Sequence, residues 1–230
     1  MKHVSGGTAA DKVIIFVKAP IPGTVKTRLT PGFDAGQAAA LYRCMVEDLL
    51  EQLDSLEGVA LEIRFAPVCA SSRVRRWLGA RGMAAQCGPD LGARMDDAFR
   101  ESFRTGSQRC VIVGSDIPEL SADIVRRGLA ILRTRDVVIG SCRDGGYYLI
   151  GLRQPCRGLF SGMSWSTDRV LEETLARLRR LGLRAGRLPR LADIDTPADV
   201  ARLRRRLATR RGGLPRVRGW LRSVRSPRSA

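Results

Sequence analysis

The chain has 230 residues, 44% hydrophobic and 27% charged, with only 5% aromatics. That is the balance of a soluble globular chain long enough for one sizeable core, and it excludes fibrous and disordered classes. The formal net charge of +17 suggests a polyanion binder until it is mapped: no acidic residue follows Asp199, while eleven arginines do. The remainder is only mildly basic. The only histidine, His3, sits in a polar N-terminal arm, which removes Ser-His-Asp and Cys-His machinery from the body. The six cysteines (44, 69, 87, 110, 142 and 156) include no C-x-x-C pair. They read as reduced core or near-core thiols rather than zinc ligands. The first apolar run, Val13–Val17, is too short for a signal segment or a membrane span, so a cytoplasmic location is expected.

In chain order, residues 1–11 read as a loose arm. Val13–Val17 is a continuous β-prone run, the pattern of a strand buried on both faces. A loop with Pro20, Pro22 and Gly23 follows. Asp34 then caps a helix carrying Leu41, Met45, Leu49 and Leu53 at helical spacing, with Gly58 after it. Strands are expected at 59–65, 83–87, 110–113, 137–141 and 147–152. Helices are expected at 71–78, capped by Ser71 or Ser72, at 92–104, and from Ser121 to Leu132. Two more are expected from a Thr167 cap to Leu181 and from Thr196-Pro197 onward. Alternation of strand and helix predicts a mostly parallel sheet with helices on both faces. The expected organisation is an arm over 1–11, one nucleotide-binding transferase domain over 12–203, and an Arg-rich tail over 204–230.

In open α/β sheets ligands bind beyond the carboxyl ends of the strands, so what each strand delivers there is informative. The first delivers Lys18, then a Pro/Gly-stiffened loop with Lys26, Thr27 and Arg28, able to aim cations at a diphosphate. Val25 stands where a Walker A loop needs glycine. The fourth strand delivers Gly114-Ser115-Asp116, a carboxylate well sited for a hard cation. Asp144-Gly145-Gly146 either approaches a ligand closely or makes a hairpin turn. Asp193 and Asp195 lie two apart on an extended segment and can converge on one metal, or Asp195 or Thr196 caps the last helix. Gly88, Leu91, Gly92 and Arg94 follow the third strand and can meet a base, ribose or phosphate, or form a structural junction. The basic C-terminal stretch has one aromatic, Trp220, and no recognition motif. A dedicated nucleic-acid role is therefore not expected, and weak contact with anionic surfaces is.

Taken together and in order, Lys18-x-Pro-x-Pro-Gly-x-x-Lys-Thr-Arg-Leu29, Asp90-Leu-Gly-x-Arg-Met95, Gly114-Ser-Asp-x-Pro-x-Leu120, Asp144-Gly-Gly-Tyr-Tyr-Leu-Ile-Gly-Leu152, Trp165-Ser-Thr167 and Asp193-Ile-Asp-Thr-Pro197 resemble the bacterial arsenosugar-biosynthesis-type glycosyltransferases. That family is similar to GT-A nucleotide-diphospho-sugar transferases and to molybdenum-cofactor and phospholactate guanylyltransferases. The resemblance implies a single-domain GT-A-like three-layer sandwich. It implies phosphate binding by Lys18, Pro22, Gly23, Lys26, Thr27, Arg28, Gly88, Leu91, Gly92 and Arg94. It further implies Mg²⁺ or Mn²⁺ at Asp116, Asp193 and Asp195, and a donor-sugar or acceptor region at Gly145, Gly146, Tyr147, Trp165, Ser166 and Thr167. Ala93 and Arg143 depart from the family pattern as we expect it, Arg143 by reversing charge beside the expected acceptor pocket.

Glycosyl transfer from a nucleotide-sugar to a small acceptor is the first functional expectation, with Asp116 central and Asp144 as acceptor base. Nucleotidyl transfer from an NTP with release of pyrophosphate is the alternative. A non-catalytic polyanion-binding protein is the third.

Overall fold

The computed structural model describes residues 10–209 and 212–224. Of the expected arm over residues 1–11, residues 1–9, His3 included, lie outside the described part, as do 210–211 and 225–230 of the expected tail, while Asp11 already belongs to the first strand. Seven strands form one sheet: β1 (Asp11–Lys18), β2 (Val59–Ala66), β3 (Met83–Ala85), β4 (Arg109–Gly114), β5 (Val137–Cys142), β6 (Tyr147–Leu152) and β7 (Ala185–Leu191). The helices are α1 (Ala35–Leu53), α2 (Ser71–Leu78), α3 (Leu91–Arg104), α4 (Ala122–Ile131), α5 (Val170–Arg180), α6 (Pro197–Thr209) and α7 (Pro215–Ser223). The strand order is β3-β2-β1-β4-β6-β5-β7. β6 runs antiparallel to both β4 and β5, and the other pairings are parallel. The order reverses direction between β1 and β4, so a crevice opens past Lys18 and Gly114.

Why the strands are apolar throughout is visible in how their residues divide. Val13, Ile15 and Val17 join one core with Val111 and Val113, against α1, α2, α4, α6 and α7. Ile14, Cys110, Ile112 and Ile150 join the other, against α3 and α5. Successive side chains point to opposite faces of a strand. A sheet covered on both sides therefore demands uninterrupted apolar runs. This is the expected three-layer sandwich.

The caps follow the sequence in part. Asp34 accepts the Gln37 N–H at 2.8 Å, and the Gln37 side chain accepts the Asp34 N–H at 3.1 Å, closing a capping box on α1. Ser121 caps α4. Three expectations need correction. α2 has no side-chain cap from either serine. Thr167 does not start α5, which begins at Val170, because its hydroxyl is donated to the Ser164 carbonyl at 2.7 Å within an irregular loop. β7 was not expected at all. It is an edge strand with one buried residue, Leu188, among Arg187, Pro189 and Arg190. Proline and charge suit an edge.

The largest correction concerns the expected tail. α6 continues to Thr209, and α7 folds back onto α1. Val217, Trp220, Leu221 and Val224 are buried in the main core, with the Trp220 ring 5.2 Å from Phe33. Asp48, 1% exposed on α1, accepts the Arg216 and Val217 backbone N–H groups at 3.1 and 3.0 Å and the Arg216 guanidinium at 3.2 Å. A carboxylate from α1 thus satisfies donors at the N-terminus of α7 that the helix itself leaves open. All six cysteines are free thiols, as expected, although Cys69 and Cys87 are exposed. Among the described residues no helix is long and apolar enough to cross a membrane.

Asp48→Ala leaves the Arg216 and Val217 backbone N–H groups without their partner, while the exposed Arg216 guanidinium keeps Glu47 and Glu51, and should lower the free energy of unfolding by about 2 kcal/mol in urea denaturation. Unchanged stability would mean that α7 is not docked.

Candidate active site

The loop after β1 is pinned by apolar anchors. Val25 and Leu29 are 4% and 0% exposed, and the Thr24 N–H and hydroxyl both reach the Ile21 carbonyl, at 3.0 and 2.9 Å. Between the anchors Lys26 takes a left-handed conformation, φ 50° and ψ 39°. For a non-glycine residue that costs about 1–2 kcal/mol. The distortion turns the lysine inward. Its ammonium donates to Asp116 Oδ2 and Asp195 Oδ1, each at 2.8 Å. Arg28 Nη1 donates to Asp195 Oδ2 at 3.2 Å. The lysine side chain is 5% exposed, whereas the two carboxylates remain 37% and 33% open. The cation is sealed in and the anions face the cleft.

Each carboxylate is delivered by a simple device. Asp116 follows β4 directly, and its carbonyl accepts the Ile194 N–H at 3.3 Å, tying the 193–195 segment to the end of β4. Thr196, not Asp195, caps α6: its hydroxyl oxygen accepts the Asp199 N–H at 3.3 Å, and Asp199 in turn accepts the Thr196 N–H at 2.7 Å and its hydroxyl at 2.6 Å. That leaves Asp195 for Lys26 and Arg28. Behind them, Tyr42 of α1 accepts the Lys18 N–H at 2.8 Å and bonds to Ser115 at 2.8 Å, while Ser115 donates to the Phe16 carbonyl at 2.8 Å. This chain locks the ends of β1 and β4 together. Burial pushes the Tyr42 phenol up to about 12, so it stays neutral.

The electrostatics are lopsided. Burial opposes the Lys26 charge, but Asp116 and Asp195 outweigh it and hold the ammonium above its usual range. Burial likewise disfavours the Asp116 carboxylate, and Lys26 reverses this, so Asp116 lies below the usual range. Asp193 is the opposite case. Burial, then repulsion from Asp144, Asp195 and Asp116, pushes it up to about 6.

The cleft, about 530 Å³, is lined by Lys18, Lys26, Thr27, Arg28, Leu91, Arg94, Asp116, Ser166 and Asp195 among the expected residues. Sequence reasoning missed Thr24, Tyr42 and Gln86, which also line it. A hydroxyl at Tyr42 on an otherwise apolar helix face was the available signal for one of them. Pro22, Gly23, Gly88, Gly92, Asp144, Gly145, Gly146, Tyr147, Trp165, Thr167 and Asp193 are not part of that lining. Several of these have structural work instead. A Cβ on Gly92 would lie 2.4 Å from the Phe160 carbonyl and 2.7 Å from the Trp165 ring. Gly92 thus lets the 163–168 loop pack on the start of α3 and brings Ser166 to the cleft rim. Gly145, at φ +91°, would meet the Asp168 carbonyl at 2.1 Å if it carried a Cβ. Asp144 Oδ1 accepts the Gly146 N–H at 3.0 Å, as in a hairpin turn. Tyr147 packs against the second core. Asp90 caps α3, accepting the Ala93 N–H at 2.8 Å, and Arg94 donates to the Gly88 carbonyl at 3.0 Å. Asp193 lines a neighbouring cavity.

The donor set suits a hard divalent cation. Asp116 and Asp195 already clasp one positive charge, the Lys26 ammonium, and Asp193 is held up by burial and by repulsion from its neighbouring carboxylates. Among the described residues no three carboxylates converge closely enough to form a ready-made cage, so water or substrate oxygens would complete the coordination.

Asp193 offers a pH test. Its carboxyl binds a proton more tightly folded than unfolded, so its ionisation opposes folding as the pH rises through about 6. Asp193→Asn should match the wild type in melting temperature at about pH 3.5, below the ordinary carboxylate value of 3.8. At pH 7.5 it should melt about 2–4 °C higher, since about 1 kcal/mol remains after solvent screening. No difference at either pH would remove Asp193 from the carboxylate cluster.

Comparison with known proteins places the chain in a family. Residues 49–167 match the model of a family described as "uncharacterized protein conserved in bacteria (DUF2064)". The chain is 30% identical over 189 residues to a 3-phospho-D-glycerate guanylyltransferase from Phenylobacterium zucineum, covering 78% of this chain and 84% of that one. It is 29% identical to a phosphoenolpyruvate guanylyltransferase from Sphaerobacter thermophilus, covering 78% and 86%. A crystal structure from Desulfovibrio desulfuricans G20, described as a candidate nucleotide-diphospho-sugar transferase, superposes with a TM-score of 0.86 at 36% identity over 93% and 97% of the two chains. CMP-2-keto-3-deoxy-manno-octonic acid synthetase shares the fold at 13% identity, with a TM-score of 0.54 over 86% and 98%. Fold, match and kinship agree: the chain belongs to the DUF2064 family and is a transferase with the architecture of nucleotide-diphospho-sugar transferases.

Proposed function

We propose that the chain is a metal-dependent nucleotidyltransferase, moving the nucleotidyl group of an NTP, GTP by kinship, onto the phosphate of a small acceptor and releasing pyrophosphate. The carrying observation is the Lys26 ammonium held at 2.8 Å from both Asp116 and Asp195 at the mouth of a cleft lined by Lys18, Arg28 and Arg94. Kinship to guanylyltransferases over more than three quarters of the chain supports the same reading.

An acceptor phosphate oxygen attacks the α-phosphorus, the bond from that phosphorus to the bridging oxygen breaks, and its electrons leave with pyrophosphate. Lys18, Lys26, Arg28 and Arg94 line the cleft where that charge develops. Fixed cations in a partly dry site stabilise developing charge at no reorganisation cost. A Mg²⁺ or Mn²⁺ ion held by Asp116 and Asp195, with Asp193 nearby, would supply Lewis-acid neutralisation of the triphosphate. The Tyr42–Ser115 pair keeps β1 and β4 from spreading under that load. A phosphate nucleophile is already ionised at neutral pH and needs no general base. This agrees with an Asp144 whose Oδ1 is engaged in a hairpin turn.

Glycosyl transfer from a nucleotide-sugar, of the arsenosugar-biosynthesis type, is the second reading. It is favoured by the 36% identity to the Desulfovibrio chain, and it would assign Asp144 as the base. The same cations and carboxylates serve both reactions.

The products discriminate. With Mg²⁺ or Mn²⁺, GTP and 3-phosphoglycerate or phosphoenolpyruvate should yield pyrophosphate, and Asp116→Asn and Lys26→Met should each lower kcat/KM by about 10²–10³. Nucleoside diphosphate released from a sugar nucleotide, with no pyrophosphate from any NTP, would instead support the second reading.

A further inference from the structure

A second, smaller cavity of about 210 Å³ adjoins the carboxylate cluster, lined by Arg143, Ala192, Asp193, Ile194, Asp199, Arg202, Arg205 and Arg206. It is smaller than the ~300–1,000 Å³ usual for a drug-sized ligand, which suits a small acid and not a nucleotide. Its charges do not cancel. Asp199 Oδ1 is taken by Arg202, and Asp199 Oδ2 by the start of α6. Arg206 donates to Glu119 at 2.7 Å and keeps a buried Nε without a partner. Arg143 and Arg205 make no side-chain hydrogen bond or ion pair among the described residues, and both are exposed on the cavity's rim.

The placement of Arg143 is built. The Arg190 guanidinium of β7 donates to the Cys142 and Arg143 carbonyls at 3.1 and 2.9 Å, fixing the backbone as β5 turns toward β6. Arg205 stands on α6, whose start is fixed by the Thr196–Asp199 cap. Two fixed stretches of backbone therefore carry two unpaired arginine side chains to one small cavity. Asp193 and Ile194 form another wall, and the Ile194 N–H donates to the Asp116 carbonyl at 3.3 Å, one residue before Asp195. The cavity thus adjoins the nucleotide cleft through the 193–195 segment, since that cleft's lining includes Asp116 and Asp195. Guanidinium forks match planar carboxylates and phosphates in a bidentate way.

We infer that this cavity is the acceptor site: Arg143 and Arg205 hold the non-reacting anionic group of a small acid that carries both a carboxylate and a phosphate, while its nucleophilic end points toward the carboxylate cluster. The assignment rests on the nucleotidyl-transfer reading for the acceptor's role. The anion site itself does not depend on it.

Calorimetric titration of the full chain with 3-phosphoglycerate and with phosphoenolpyruvate, at low salt, tests the site directly. The wild type should bind at least one of them, and Arg143→Ala/Arg205→Ala should weaken that binding at least tenfold. Arg143→Lys/Arg205→Lys should fall between, because a point charge replaces a fork. GTP affinity and melting temperature should stay within twofold and 2 °C, since neither side chain has a structural partner. In turnover, the alanine pair should raise the acceptor KM with little change in kcat. A wild type that binds neither acid, or an alanine pair that binds as the wild type does, would overturn the assignment. If the enzyme uses sugar nucleotides instead, the transfer reading fails, while the titrations still decide whether the arginine pair holds an anion.

Discussion

One buried ammonium organises this protein's working end. Lys26 joins a loop after the first strand to carboxylates 90 and 169 positions away. A buried ionic cluster is a poor source of net stability, because desolvating the charges offsets their attraction. Its persistence here, with a left-handed lysine backbone, fits a role in function. The cluster holds two half-open carboxylates over the crevice at the point where the strand order reverses. An incoming triphosphate would meet cations placed in advance, and an incoming metal ion would meet oxygens already facing it.

The surrounding fold keeps that arrangement stiff. Both faces of the sheet are covered, so β1 and β4 cannot shift without repacking two cores. Tyr42 and Ser115 bind their ends together. On the other side of the cleft, Gly92 and Gly145 permit contacts too close for any side chain, drawing the 163–168 loop against α3 and against the β5–β6 turn. The same glycines look, in the sequence, like ligand-binding glycines. Their close neighbours are protein atoms, and their contribution to the site is to position Ser166.

Much of this was legible in the sequence, and the failures have physical causes. Continuous apolar runs identified β1, β4, β5 and β6, because strands buried on both faces leave no room for polar alternation. β7 carries a single buried leucine among arginines and a proline, so no periodic signal marks it. α7 does have apolar residues at helical spacing, Val217, Trp220 and Leu221, with Val224 just beyond its end. The arginines between them and the loss of every acidic residue made the segment read as a tail, when the missing carboxylate lies far upstream at Asp48. The meeting of Lys26 with Asp116 and Asp195 could not be read from spacing at all. It was suggested by the rule that strand carboxyl ends share one crevice, and by the ordered motifs of a resembling family. Gln86 and Tyr42 escaped notice because a glutamine at a strand end and a tyrosine on an apolar helix face look ordinary until the crevice is seen to open beside them.

A crystal structure with Mn²⁺ and a non-hydrolysable GTP analogue, read by anomalous scattering, tests the central claim most directly. The account predicts manganese within coordination distance of Asp116 and Asp195, and the triphosphate against Lys18, Lys26 and Arg28. Manganese bound elsewhere, or a nucleotide lying outside the crevice between β1 and β4, would contradict it.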